Sequence, residues 1–277
     1  MKSLIIRTVS ALAALVILFL TIYFFDVNGL RFLCFITPFL GVRELRRILF
    51  SDIQSFELLG VFSLFTILVF ALTVLFPNVG ALVFASLAVF YCALILMFQN
   101  KFQDLNALCV FHAKSLLGFF YVGLLPATAC MIINLPNGKL WFYALLAVVL
   151  CGDSMAYLVG ISIGKHKVMP VISPKKTFEG AIGGLIGSGI VGAVMAIQFL
   201  PHVPLLNMIL LSILTGAVAQ FGDFFESLLK RVANIKDSGR LMPGHGGILD
   251  RLDGVLFGAP IILAGALWVE VYLKSLS

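Results

Sequence analysis

Long apolar runs broken by short polar stretches set the pattern of this chain. They fall at about 8–25, 28–42, 56–76, 79–99, 115–133, 140–161, 178–199, 205–229 and 254–273, and most are near the ~20 residues a helix needs to cross a bilayer. The second run is short for a full crossing. Pro77-Asn78, Leu135-Pro136-Asn137-Gly138 and Pro201-His202-Val203-Pro204 divide neighbouring runs, because Pro and Gly punctuate helices and Asn bonds its own backbone. All three turns are expected on one side. The pattern predicts an all-α polytopic membrane protein of about nine transmembrane helices, a single membrane-embedded domain over 1–277. Within it, spans 1–134 read as scaffold and 135–277 as the region that carries the chemistry.

Composition agrees with this pattern. Of 277 residues 61% are hydrophobic and 12% charged, against about 25% charged in a soluble domain, and the mean hydropathy is +1.11. An ordinary soluble protein is excluded, and little chain is left over for a separate soluble domain. Lys2 and Arg7 precede a first run longer than a signal-peptide core and without a small-residue cleavage site, so it reads as a retained span. The five cysteines show no CxxC or CxH spacing, which gives no disulfide framework or zinc site.

The charge of +6 is a topology signal. With the N-terminus cytoplasmic and the C-terminus outside, only Arg31, Lys139 and Lys274 of the 19 basic residues fall on the outer side, as the positive-inside rule prefers. The basic residues are divided among several loops, so a nucleic-acid partner is not indicated.

Two cytoplasmic loops, 162–177 and 230–253, are long, charged and glycine-rich. Lipid-headgroup anchoring would explain their bases but not the neighbouring acids. Asp153, Asp223 and Glu226 sit near the cytoplasmic ends of their spans, where ionisable groups are costly in lipid. Asp223, Glu226, Ser227 and Lys230 project from one helix face at i, i+3, i+4 and i+7. An Asp–Lys pair closing the helix end is the alternative reading of that face. From Ser227 the chain runs SLLKRVANIKDSGRLMPGHGGILDRLDG, mixing Asp237, Asp250 and Asp253 with Lys230, Arg231, Lys236, Arg240 and Arg251. Carboxylates hold a hard cation such as Mg²⁺ while Lys and Arg bind phosphate oxygens, so the segment suits a metal-nucleotide site. Its glycine turn, Pro243 to Gly247, would bring N–H groups close to an anion. In GKHKVMPVISPKKTFEG, Ser173 reads as an N-cap and Pro174 as a first helical residue. That would place Lys175 and Lys176 at a helix start able to bind an anion, or leave them as solvated lysines on a capped helix.

These residues resemble the signature of phosphatidate cytidylyltransferases, also called CDP-diacylglycerol synthases. The likeness rests on Ser227, Lys230-Arg231, Lys236-Asp237, Gly239, Pro243, His245-Gly246-Gly247, Asp250-Arg251 and Asp253, with GDSMAYLVG and ISPKKTFEG upstream. It departs at Met242, Met155 and Ile161, where an aliphatic residue, a glycine and a basic residue are usual. The resemblance implies transfer of a cytidylyl group from CTP to phosphatidic acid, with Mg²⁺, an accompanying K⁺, and a homodimer. It further implies Asp223 and Asp250 as metal ligands, and Asp253, Lys230, Lys236 and Asp237 beside them in catalysis. Ser173, Lys175, Lys176, Thr177, Glu179, Ser227, Arg231, His245, Gly246, Gly247 and Arg251 are then expected to bind substrate, with Asp153 and Glu226 as further candidates. CTP arrives from the cytosol and the diacyl tails stay in lipid, so the site is expected at the cytosolic face of a bacterial inner membrane.

Two rival functions are weighed. A CTP-dependent polyprenol or phytol kinase would use similar groups, but the full pattern from Ser227 to Asp253 argues against it. An ion or phosphate transporter would hold its acids nearer mid-membrane. Elsewhere, His112, His166 and His202 read as isolated or solvated, and Trp141 and Trp268 as interfacial anchors. Glu57 and Glu270 read either as snorkelling groups or as buried pairs. Glycines between 183 and 192 are expected to permit close helix packing.

Overall fold

The computed structural model of the chain describes residues 2–239, 241 and 246–273, without the side chains of 2–15, 17–19, 22 and 271–273. Nine α-helices follow in order among these residues: α1 Lys2–Leu49, α2 Phe56–Leu75, α3 Gly80–Leu96, α4 Leu105–Gly118, α5 Leu125–Ile133, α6 Gly138–Ile163, α7 Phe178–Gln198, α8 Leu205–Val232 and α9 Leu249–Leu267. A π-helical segment, Phe119–Leu124, joins α4 to α5, next to Pro126, whose missing N–H interrupts the normal ladder. Strands β1 (Lys167–Met169) and β2 (Ser173–Thr177) form the one hairpin among the described residues.

The chain is thus an all-α polytopic membrane protein. Eight helical stretches among the described residues are long and apolar enough to cross a membrane, at Tyr23–Leu49, Phe56–Leu75, Pro77–Leu96, Leu105–Ile133, Gly138–Ile163, Phe178–Gln198, Leu205–Val232 and Leu249–Glu270. They answer to the second through ninth apolar runs; the side chains of the first run lie largely outside the described residues. The short second run is lengthened at both ends to 27 residues. Helix α1 is broken only at Asp26, whose φ of 48° and ψ of −126° are non-helical.

The chain divides into two compact units. The first comprises 1–131 with 235–249, the second 132–234 with 250–277. In the first, an aromatic core is built from Phe62 stacked on Phe119 at 5.8 Å between ring centroids, with Tyr91 edge-on to Phe119 at 4.7 Å and Phe50 packed on Phe62 and Phe111. Tyr91 Oη and Ser115 Oγ are 2.7 Å apart inside it. Lys101 pairs with Glu57, so Glu57 is an exposed ion pair.

In the second unit α7 inverts the soluble pattern. Gly180, Gly183, Gly184, Gly187, Ser188 and Gly192 are buried, whereas Ile182, Ile186, Ile190 and Val194 are exposed. Small residues let helices approach closely where lipid supplies no hydrophobic drive between them. A Cβ on Gly183 or Gly187 would meet Val159 or Met155 of α6, and one on Gly192 would meet Ser212 of α8. Ser188 Oγ donates to Val148 O at 3.1 Å and Gln220 Nε2 to Ala181 O at 3.1 Å, which fastens α6, α7 and α8 together.

Glu270 closes the far end of this unit. Its Oε1 accepts from Asn137 Nδ2 at 3.0 Å and Trp141 Nε1 at 3.1 Å, and lies 2.6 Å from His202 Nε2. The turns at 135–138 and 201–204 therefore share an end. Of the two readings of Glu270 the buried, partnered one is found, and two expectations are corrected here: His202 is not isolated, and Trp141 is fully buried rather than interfacial. Each follows from the cost of leaving a buried carboxylate without donors.

The start of α7 is also corrected. Ser173 is the first residue of β2 instead of an N-cap, and Ser173 to Thr177 pair antiparallel with β1, Met169 opposite Ser173 and Lys167 opposite Thr177. The residue before a proline favours extended backbone, and a two-stranded edge tolerates a proline without N–H. The cap is Thr177, whose Oγ1 accepts from Gly180 N at 3.2 Å. Thr177→Ala is expected to cost about 1 kcal/mol in stability, with Ser173→Ala near neutral; thermal unfolding in detergent of the two variants checks the order, and equal losses would contradict it.

Candidate active site

Helix α8 carries its ionisable residues on one side, spaced so that each meets the next. Ser227 Oγ donates to Asp223 Oδ1 at 3.3 Å, and Lys230 Nζ to Glu226 Oε2 at 3.0 Å. Helix α9 brings Asp250 and Asp253, one turn apart on its first two turns. Lys230 Nζ also donates to Asp250 Oδ1 at 2.6 Å, so one ammonium joins α8 to α9. The three side chains are 14% (Lys230), 1% (Glu226) and 8% (Asp250) exposed. At that burial an unpaired charge would be very costly, and the lysine is what allows both acids to stay there.

The hairpin delivers a second lysine. Along β2 Lys175 is exposed and Lys176 half-buried; Lys176 pairs with Asp223, and its Nζ stands 4.5 Å from the centroid of Phe224. Arg231 Nε donates to Ile172 O at 3.3 Å, which ties the hairpin to the end of α8. Asp153 on α6 lies within electrostatic reach of Lys176 and Asp223, and Asp253 within reach of Asp223, Asp153 and Lys230. Asp253 Oδ1 accepts from Gly254 N at 2.8 Å. Five acids and two lysines from α6, β2, α8 and α9 thus gather in the second unit.

The remaining expected residues divide into several groups. Thr177 is occupied in capping α7, and Glu179 accepts from Lys165 N at 3.0 Å and His166 N at 3.2 Å while lying 2.6 Å from His166 Nδ1. Both brace the hairpin that holds Lys176. Lys236 and Asp237 are exposed residues of the first unit, as Arg251 is of the second. Gly246 has a φ of 85°, a left-handed conformation suited to glycine, and Gly247 is buried. His245, with Arg240 and residues 242–244, lies outside the described residues.

One acid was invisible in the sequence pattern. Glu44, within the run Arg43-Glu44-Leu45-Arg46-Arg47 of α1, is buried, and its carboxylate accepts from Ser238 Oγ, Ile248 N and Leu249 N at 2.8, 2.9 and 3.0 Å. The arginines around it made that stretch look like a topology signal alone.

The chemistry of the donor set fits a hard divalent cation. Every candidate ligand is a carboxylate, and Glu226 Oε1 is buried without a hydrogen-bond partner. Among the described residues no three such side chains converge on a single point; the lysines hold the acids instead.

Comparison with known proteins shows the family. The model of the cytidylyltransferase family matches residues 5–267. A phosphatidate cytidylyltransferase of Staphylococcus saprophyticus is 34% identical over 266 residues, covering 93% of this chain and 96% of its own length. One from Staphylococcus haemolyticus is 31% identical with the same coverages. One from Bacillus subtilis is 37% identical over 147 residues, covering 53% of this chain and 55% of that protein.

Removing Lys230 tests the clamp. Lys230→Met is expected to destabilise by about 3–5 kcal/mol, because it leaves Glu226 and Asp250 uncompensated. Adding Glu226→Gln to that variant should recover part of the loss in a double-mutant cycle of thermal unfolding; strict additivity would mean the pair is not coupled.

Proposed function

The chain belongs to the cytidylyltransferase family, and on that footing we propose that it transfers the cytidylyl group of CTP to phosphatidic acid. The products are CDP-diacylglycerol, for phospholipid synthesis, and pyrophosphate. Similarity to phosphatidate cytidylyltransferases over 93% of the chain is the observation that carries this reading. The cluster of acids and lysines at the ends of apolar helices supports it, since the substrates join a charged nucleotide to a lipid that stays in the bilayer.

In the proposed reaction a phosphate oxygen of phosphatidic acid attacks the α-phosphorus of CTP. A new P–O bond forms as the bond to the β-phosphate oxygen breaks, and pyrophosphate leaves with the electron pair. Lys176 and Lys230 would hold phosphate oxygens and offset their charge. Asp223 and Asp250 would hold Mg²⁺, with Asp253 and Glu226 alongside, and the ion would supply further neutralisation of crowded phosphate oxygens. Thr177, Glu179 and Arg231 would act indirectly, by fixing the hairpin that carries Lys176. We place the site at the cytosolic face of a bacterial inner membrane. The distribution of basic residues and the bacterial relatives support that placement.

Two experiments test the reading. Purified protein supplied with phosphatidic acid, Mg²⁺, K⁺ and CTP labelled at the α or γ phosphate should move only the α label into lipid and release pyrophosphate. Transfer of γ label to an added polyprenol would establish a kinase instead, and absence of either label from lipid with folded protein would refute transfer. Asp223→Asn and Asp250→Asn are each expected to lower kcat by about 100-fold or more while the protein stays folded in detergent; substantial turnover in either would remove that residue from the ligand set.

A further inference from the structure

Ser238, Ile248 and Leu249 belong to the first unit, and all three meet at Glu44. Its carboxylate is buried within α1, and among the described residues Ile248 N donates to Oε1, and Leu249 N and Ser238 Oγ to Oε2. Two of these donors lie at the entry to α9, where Leu249 is the first helical residue. Helix starts leave N–H groups without intrahelical partners, and an anion there is favoured by both hydrogen bonding and the helix dipole. Such a group is ordinarily a side chain of the adjoining turn, whereas this cap comes from 204 residues away in sequence. Gly239 and Gly247 leave room for it, since a Cβ on either would run into the Glu44 carboxylate.

We propose that Glu44 is a positioning residue for the transfer reaction. It fixes both ends of the segment between Ser238 and Leu249. Lys236 and Asp237, which the resemblance implies in catalysis, immediately precede Ser238, and Asp250, proposed above as a metal ligand, immediately follows Leu249. This role rests on the cytidylyltransferase reading. Ionised carboxylates accept charge-assisted hydrogen bonds, and a glutamine in the same place would present an amide donor to a site lined with donors.

The test compares wild type, Glu44→Gln and Ser238→Ala as full-length protein in detergent, reading CTP kinetics, amide hydrogen exchange and thermal unfolding together. Glu44→Gln is expected to raise KM for CTP and lower kcat/KM by about tenfold or more, since small misplacements of a site are costly, and to speed exchange at the Ile248 and Leu249 amides. Ser238→Ala removes one donor and leaves the Ile248 and Leu249 amides, and should stay within about threefold of wild type. A simple loss of folded protein would lower kcat and leave KM unchanged, and that pattern overturns the proposal, as does exchange equal to wild type. If Glu44→Gln does not fold, Gly239→Ala, whose added methyl presses on the same carboxylate, is read in its place, with wild-type kinetics overturning the proposal. Exchange is independent of turnover: an inactive wild type whose two amides are still loosened by Glu44→Gln would sink the transfer reading and keep the anchor.

Discussion

A carboxylate inside an apolar helix has to meet donors, and this constraint explains more of the molecule than any other. Glu226 and Asp250 meet Lys230, Glu270 meets an amide, an indole and an imidazole, and Glu44 meets a hydroxyl and two backbone N–H groups. In water each acid could have remained solvated at little cost. In a chain of this composition, Asp250, Glu270 and Glu44 instead draw donors from segments distant in sequence.

The three solutions differ in chemistry, and the difference matches their places in the fold. Around Glu270 the partners are neutral or weakly basic and the node fastens turns. Around Lys230 the partners are full charges, for which, on the proposed function, a phosphorylated substrate would compete. Around Glu44 the donors are mostly backbone, so what is held is the path of the chain. Structural support and paired charge are thereby kept on different residues, as the proposed reaction would require of its site.

Much of the architecture was legible because hydropathy is a local property. Runs two to nine coincide with spanning helices, and the i, i+3, i+4, i+7 spacing from Asp223 to Lys230 becomes real contacts within one helix. The hairpin was not legible, since Ser-Pro followed by lysines suits a helix start as well as an extended edge, and only pairing with Lys167–Met169 decides between them. Glu44 and the Glu270 node were hidden for another reason. Their donors lie far away along the chain, where no spacing rule reaches. In the candidate site, the acids on α8 and α9 could be named from the sequence, but the bracing roles of Thr177 and Glu179 could not, because they depend on the hairpin.

The inverted face of α7 has its own consequence for anyone redesigning this helix. Its glycines lower its apolarity yet make the contacts with α6 and α8, while the isoleucines that raise its apolarity point away from them. Substituting leucine for those glycines would improve every score for insertion into lipid and separate the helices that carry Asp153 and Asp223. For α7, affinity for the bilayer and affinity for its neighbours are opposed, and the sequence has settled in favour of the neighbours.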